Sequence, residues 1–166
     1  MTNDNQVSVL DDKKAEQYLT FQLADESYGV EILKVQEIRG WEPVRDIPNT
    51  PRFIKGALNL RGAIVPVVDL RERFGMPVVE YTPITVVIVL CVNNEDGAHI
   101  IGVVADTVSD VLDIKLSDIK KSPDLGAKID TRYMRGMYVY KQRMVMLLDA
   151  DKLLNPAEFE GLGKVA

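Results

Sequence analysis

The sequence is short of the residues that most site chemistry needs. One histidine and one cysteine stand among 166 residues. Metal centres built from imidazoles and thiolates take about three or four such ligands, so no metal or cofactor is expected. A single cysteine excludes an internal disulfide and fits a reducing compartment. Basic excess is missing as well: 20 Lys and Arg face 25 Asp and Glu, a net charge of −5. Nucleic-acid affinity rests mainly on neutralising phosphates, so no nucleic-acid partner is expected. The longest strongly apolar run, Ile84 to Val92, covers nine residues. A membrane-spanning helix takes about 20. The N-terminus, MTNDNQVSVLDDKKAEQ, has no apolar stretch behind a basic start, unlike a signal peptide. These absences predict a soluble, cytoplasmic protein with no direct membrane insertion. The patterns G-x-x-x-x-G-K-S/T, G-x-G-x-x-G and G-x-S-x-G are also absent. With no phosphate loop and no nucleophile elbow, the chain is not expected to be an enzyme.

Period-two hydrophobicity dominates what is there. In QYLTFQL, Leu19, Phe21 and Leu23 alternate with Tyr18, Thr20 and Gln22. A turn at Ala24 to Ser27 leads into SYGVEI, where Tyr28, Val30 and Ile32 alternate again, which predicts a hairpin. VQEIRGW continues as a third strand. Pro43, Pro48 and Pro51 then impose an extended loop, with at most a helical turn near Phe53. GALNL and AIVPVVDL are two further strands joined tightly at Arg61-Gly62, and Pro66 predicts an edge or a bulge there. Asp69 before LRERF and Gly75 predicts a capped single helical turn. The second half runs the same way. ITVVIVLCV predicts a strand buried on both faces, followed by a polar turn at Asn93 to Gly97. AHIIGVVAD, VSDVLDI, MRGMYVY and MVMLLD follow as strands. Asp149 opens a short helix that ends near Asn155-Pro156, with a weak helical tail beyond.

An internal repeat underlies this order. A shift of 80 lays residues 51–75 on 131–155 without a gap, matching Arg52/Arg132, Gly56/Gly136, Val65/Val145 and Asp69/Asp149. A shift of 73 lays YGVEILKVQEI on IGVVADTVSDV, pairing Gly29/Gly102, Val30/Val103 and Val35/Val108. The fold class expected is therefore all-β: two five-stranded barrels related by the repeat, with short helical turns. Closed barrels remove exposed sheet edges. The boundaries expected are a flexible polar segment over 1–16, a first barrel over 17–80, a second over 81–155 and a tail over 156–166.

Few residues invite a chemical role. His99 lies in an alternating strand with no nucleophile or orienting acid in a known pattern, so a half-buried or surface strand residue is expected. Cys91, in the most apolar strand, is expected to be a small buried hydrophobe. Asp69 and Asp149 occupy equivalent positions between strand and helix, which favours N-capping over acid–base catalysis. Asp106, Asp110 and Asp113 lack the glycine and closing glutamate of an EF-hand and are expected on a solvated strand face. Glu37 is expected on the charged, exposed side of its strand, opposite Ile38. Met134, Met137, Met144 and Met146 are expected in the core. Trp41 is either core or interface. Arg61, at a hairpin tip, is either solvated or a partner anchor.

The runs YGVEILKVQEIRG, NTPRFIKGALNLRGAIVPVVDLRERFG and IGVVADTVSDVL resemble the CheW family of bacterial chemotaxis coupling proteins, over about Gln17 to Asn155. The resemblance implies two SH3-like barrels. It implies a non-enzymatic scaffold that bridges the cytoplasmic hairpin tip of chemoreceptors to the regulatory domain of the histidine kinase CheA. It implies that a receptor helix lies in a groove between the barrels, with Val35, Glu37 and Val108 as groove residues and Arg61 on the receptor side. It implies a receptor- or kinase-coupling role for Gly56, and kinase contact at Lys120 and Leu125. At those last two positions the enteric pattern has Arg and Phe, and the Asn93 to Gly97 turn is longer here. Two other readings stand beside this one: a CheW-like module of a larger kinase or receiver-bearing adaptor, and an enzyme whose barrels merely resemble SH3 folds.

Overall fold

Alternating hydrophobicity makes strands where one face of a segment finds apolar cover, and the described residues hold ten. The computed structural model describes residues 14–121 and 130–156. In chain order they form β1 (Ala15–Leu23), β2 (Glu26–Glu31), a 3-10 turn (Ile32–Lys34), β3 (Val35–Gly40), β4 (Ile54–Leu60), β5 (Ala63–Asp69) and α1 (Leu70–Arg73). Then come β6 (Val86–Asn94), β7 (Gly97–Ala105), β8 (Thr107–Lys115), 3-10 turns at Leu116–Asp118 and Thr131–Tyr133, β9 (Met134–Tyr140), β10 (Arg143–Leu148) and α2 (Ala150–Leu153). The helical tail expected beyond Pro156 falls largely outside the described residues.

The strands make two five-stranded curled sheets, ordered β8-β1-β2-β10-β9 and β3-β6-β7-β5-β4. Replacing each strand by the one five places on or back turns one order into the other, so the repeat is real at the level of topology. The sheets, however, are not the two halves of the chain. β1 and β2 pair with β8, β9 and β10, while β3, β4 and β5 pair with β6 and β7. A division into barrels at residues 80 and 81 is therefore corrected. The seam that joins the halves is a parallel pair in each sheet: Ser27 to Gly29 beside Val145 to Leu147, and Val67 to Asp69 beside Gly102 to Val104. Gly29 lies opposite Leu147 as Gly102 lies opposite Val67, and both pairs are repeat equivalents.

Each sheet is closed by a single residue. Arg45, past the end of β3, exchanges both main-chain hydrogen bonds with Ala57 of β4, at 3.0 and 2.7 Å. Lys120, past β8, does the same with Met137 of β9, at 2.8 and 2.7 Å. The residue before each acceptor strand partner is a glycine, Gly56 with φ 146° and Gly136 with φ 157°. A Cβ on Gly56 would run into the Arg45 carbonyl, and one on Gly136 would lie 2.5 Å from the Lys120 carbonyl oxygen. The glycines match in the repeat because barrel closure leaves no room for a side chain.

Closure also explains Pro66. β5 is flanked on both sides, by β4 and β7, so of the edge or bulge expected the edge is corrected, while a bulge lies close by, between Ile54 and Gly56 of β4. Ala57, opposite Pro66, spends its N–H and C=O on Arg45. The pair is thus not hydrogen-bonded to itself, and the parallel ladder to β7 starts only at Val67. No donor is required at Pro66.

Three clusters make the core. The largest joins the sheets: Leu19, Phe21, Tyr28 and Val30 of one meet Ile88, Leu90, Ile101 and Val103 of the other. Alternate residues turn into each barrel instead. Val65, Val67, Val87, Val89 and Val104 fill one, and Tyr18, Leu112, Ile114, Val145 and Leu147 the other. The two barrels thus fold around one shared interface. Asp69 and Asp149 cap α1 and α2 as expected, the first accepting from the Arg71 and Glu72 amides and the second from that of Lys152. Among the four methionines expected in the core, Met134 and Met146 pack on the shared cluster, while Met144 is exposed. The hairpin tip at Lys141-Gln142 directs that side chain outward.

Candidate functional site

The chain passes between the sheets at two equivalent places. β2 leads through Ile32–Lys34 into β3 of the other sheet, and β7 leads through Asp106 into β8. Val35 is the first residue after one crossing and Val108 the second after the other. Both are half-buried and pack on the shared core, beside Ile32 and Met146. Leu33, at the crest of the first crossing, is 91% exposed. An exposed leucine two residues before half-buried Val35 gives this crossing apolar surface for a partner to cover.

Glu37 and Arg61, chosen separately in the sequence, are brought together. β3 alternates half-buried and exposed residues from Val35 to Gly40, so Glu37 is half-buried on the side of Val35 and Ile38 is the exposed residue. The expected assignment of faces is reversed: the side that carries Glu37 is the one turned inward. The Arg61 guanidinium lies 3.3 Å from Glu37 Oε1, and Arg39 Nε lies 3.9 Å from Oε2. Arg61 has φ 53° at the β4–β5 tip, where Asn59 Oδ1 accepts the Gly62 amide at 2.8 Å. With 83% of its side chain exposed, Arg61 is tethered at one nitrogen and otherwise open to solvent. A pair this open contributes little to stability, about 0–1 kcal/mol, which leaves the guanidinium free for recognition.

Gly56 sits under the Arg45–Ala57 closure, so any effect on a partner passes through the position of β4. Lys120 gives its main chain to the second closure and leaves its side chain exposed. Leu125 lies outside the described residues. Sequence reasoning missed Arg45, the counterpart of Lys120 and equally exposed. It also missed a recurrence of exposed apolar residues. Ile38 (44%) and Val111 (50%) are equivalent under the shift of 73, as are Ile64 (77%) and Met144 (53%) under the shift of 80. The repeat alignment carried that signal, because polar replacement at either copy would have broken it.

Two further expectations change. Asp106 is not on a solvated face: its carboxylate takes Arg71 Nε at 2.9 Å and Nη2 at 2.5 Å, and the Ala24 amide at 2.8 Å. Burial alone would push the Asp106 carboxyl up, but the hydrogen bonds from Arg71 and Ala24 outweigh it and hold it below the usual carboxylate range. The bond to Asp106 raises Arg71 in turn. Cys91 is half-buried rather than buried. His99 is a half-buried strand residue whose Nε2 donates to Asn94 Oδ1 at 3.2 Å. Among the described residues no group of three or more His, Cys, Asp or Glu could hold a metal ion. Nor is any helix among them long and apolar enough to cross a membrane.

Two interleaved barrels that expose matching apolar positions and an apolar margin at their joint define a scaffold, a protein whose surface meets other proteins. Residues 17–158 match the family model described as the CheW-like domain. The chain is 44% identical to the chemotaxis protein CheW of Klebsiella aerogenes, over 91% of this chain and 89% of that one. It is 34% identical to the chemotaxis protein CheW of Rhizobium meliloti, over 86% and 89%. The crystal structure of the scaffolding protein TtCheW from Thermoanaerobacter tengcongensis superposes with a TM-score of 0.76 at 30% identity, covering 86% of this chain and 89% of that one. The chain belongs to the CheW-like family of chemotaxis scaffold proteins.

Proposed function

We propose that this chain couples chemoreceptors to the histidine kinase CheA, without chemistry of its own, in the cytoplasm beneath membrane-anchored receptor arrays. The receptor's cytoplasmic hairpin tip lays an apolar helix face between Val35 and Val108, as helices seat in other apolar grooves. Glu37 and Arg61 border that contact and fix its polar register. The regulatory domain of CheA meets the other faces, with Lys120 and Leu125 at its contact and Gly56 acting through barrel closure. One observation supports the reading above others: Val35 and Val108, repeat equivalents, both stand half-buried at the margin of the core that the barrels share. An apolar margin of that kind suits an apolar helix and offers nothing to a small polar substrate.

Co-sedimentation tests it. The full chain is mixed with a receptor cytoplasmic fragment and with CheA, each alone and then together. Recruitment of kinase to receptor only when the chain is present is the expected result. Absence of binding to the receptor fragment, or nucleotide hydrolysis or stoichiometric metal that tracks the purified protein, overturns it.

A further inference from the structure

We propose that two ion-pair clasps of opposite polarity, Arg71–Asp106 and Lys34–Asp151, fix the placement of one barrel against the other and so set the separation of Val35 and Val108; the consequence for binding rests on the receptor-coupling reading. The four residues are positioning residues and touch no partner themselves.

Each clasp sits at one crossing between the sheets. Asp106 is the single residue between β7 and β8. It receives two nitrogens of Arg71, from α1, which follows β5 of the second sheet, and the Ala24 amide, from the β1–β2 turn of the first. One carboxylate therefore ties both sheets to the chain that passes between them. At the other crossing Lys34 Nζ lies 2.9 Å from Asp151 Oδ2. Asp151 belongs to α2, which follows β10 of the first sheet, and its Oδ1 accepts the Asn93 amide of β6, in the second, at 2.8 Å. Again one carboxylate spans both sheets.

The helix partners are equivalent in place and inverted in charge. Arg71 and Asp151 are equivalents under the shift of 80 and hold the same second position in their helices. One carries the cation and the other the anion. The crossing supplies the complement in each case, Asp106 on one side and Lys34 on the other. Side-chain exposures of 14% and 28% for one pair, and 20% and 33% for the other, put both in partly desolvated surroundings, unlike the open Arg61 pair. Coulomb attraction is stronger there than at the open surface, and the two-nitrogen grip of Arg71 also fixes angle. Inverted polarity makes each helix the wrong partner for the other crossing, since Arg71 would face Lys34 and Asp151 would face Asp106. The wall residues follow at once along the chain: Val35 is next to Lys34, and Val108 is two residues past Asp106. A clasp that slips moves a wall.

Asparagine replaces the charge and keeps the oxygen that each main-chain amide needs, so Asp106→Asn with Asp151→Asn is the variant of choice. Spin labels are placed in the full chain at Glu95→Cys, in the β6–β7 turn, and Val139→Cys, in β9, with Cys91→Ala. Pulsed dipolar spectroscopy then reads the distance between barrels. A single narrow distribution is expected with both clasps intact, a broader or displaced one in the double variant, and an intermediate one for Arg71→Lys, which keeps charge and loses the fork. A role in stability alone lowers the melting temperature and leaves the distribution narrow, and that result overturns the proposal. In parallel, affinity for a coiled-coil hairpin carrying a receptor tip is expected to fall about three- to tenfold in the double variant. A broadened distribution with unchanged hairpin affinity overturns the link to the groove. Failure of the unmodified chain to bind the hairpin sinks the receptor reading instead, and the distance measurement still decides the clasps.

Discussion

The two barrels share a backbone plan and differ in how they spend their charges. In the barrel of β3 to β7, Lys55 reaches from β4 to Glu72 of α1 at 2.7 Å, and Arg61 at the tip reaches Glu37 at 3.3 Å. In the other, Arg135, the equivalent of Lys55, ties Glu16 of β1 and Glu31 of β2 across the sheet. Lys141, the equivalent of Arg61, lies over the Tyr140 ring at 5.2 Å, and Asp110, the equivalent of Glu37, is exposed. Backbone requirements, such as the glycine at each closure and the aspartate at each helix start, are identical because geometry imposes them twice. Surface charges are not imposed, so the copies have diverged there. Pseudo-symmetric ends with different charges can meet different partners without confusing them.

The largest break expected is at closure. Gly56→Ala drives a Cβ into the Arg45 carbonyl at a positive φ, and about 3 kcal/mol or more of stability is expected to be lost. Gly136→Ala should cost less, because part of its obstruction is the movable Ile119 side chain. Denaturant unfolding of the two variants ranks them; equal and small losses would show that closure does not need glycine. Next come Val35 and Val108, the walls of the proposed groove. Val35→Asp and Val108→Asp each put an unpaired carboxylate into a desolvated contact and should each weaken receptor-fragment binding by about 2 kcal/mol in a folded protein. A large difference between them would break the equivalence of the two walls.

Arg61 and Lys141 separate the barrels more finely. Arg61→Ala should leave the melting temperature within the range of about ±0.5 kcal/mol and lower receptor or kinase binding by about 1–2 kcal/mol. Arg61→Lys should restore only part of it, and Lys141→Ala should do little in the same titration. Equal effects at both tips would mean that neither is an anchor. The smallest effect concerns pH. The Asp106 carboxyl is held below its ordinary range in the folded state, so its contribution is full above about pH 4 and fades as pH falls through the folded value. The stability gap between the parent chain and Asp106→Asn, under about 1 kcal/mol near neutral pH, should therefore close in acid. A gap that persists in acid, once the carboxyl is protonated in both states, would assign it to packing instead.

Strands, turns, caps and the repeat were legible because each is written in neighbouring residues: alternation makes a strand, an aspartate before a helix accepts its free amides, and a tight turn needs a positive φ. Val35 and Val108 were matched by the repeat, and Glu37 and Arg61 by resemblance. What was not legible was anything decided at long range. Glu37 turned inward and met Arg61 of another hairpin, and no local pattern announces a partner 24 residues further on. Asp106 looked like its solvated neighbours Asp110 and Asp113 until folding brought Arg71 to it.

By itself, then, the sequence determined ten strands, two capped helical turns and a two-fold internal plan, since local chemistry acts wherever the chain goes. Only the tertiary structure decided that each barrel is built from both halves. The parallel pairing of β2 with β10 and of β5 with β7 joins segments far apart in the chain, and hydrophobic alternation is the same whichever neighbour a strand takes. The choice came from burying one shared core, with each sheet closed at Arg45 or Lys120 and two ion pairs of opposite polarity at the crossings.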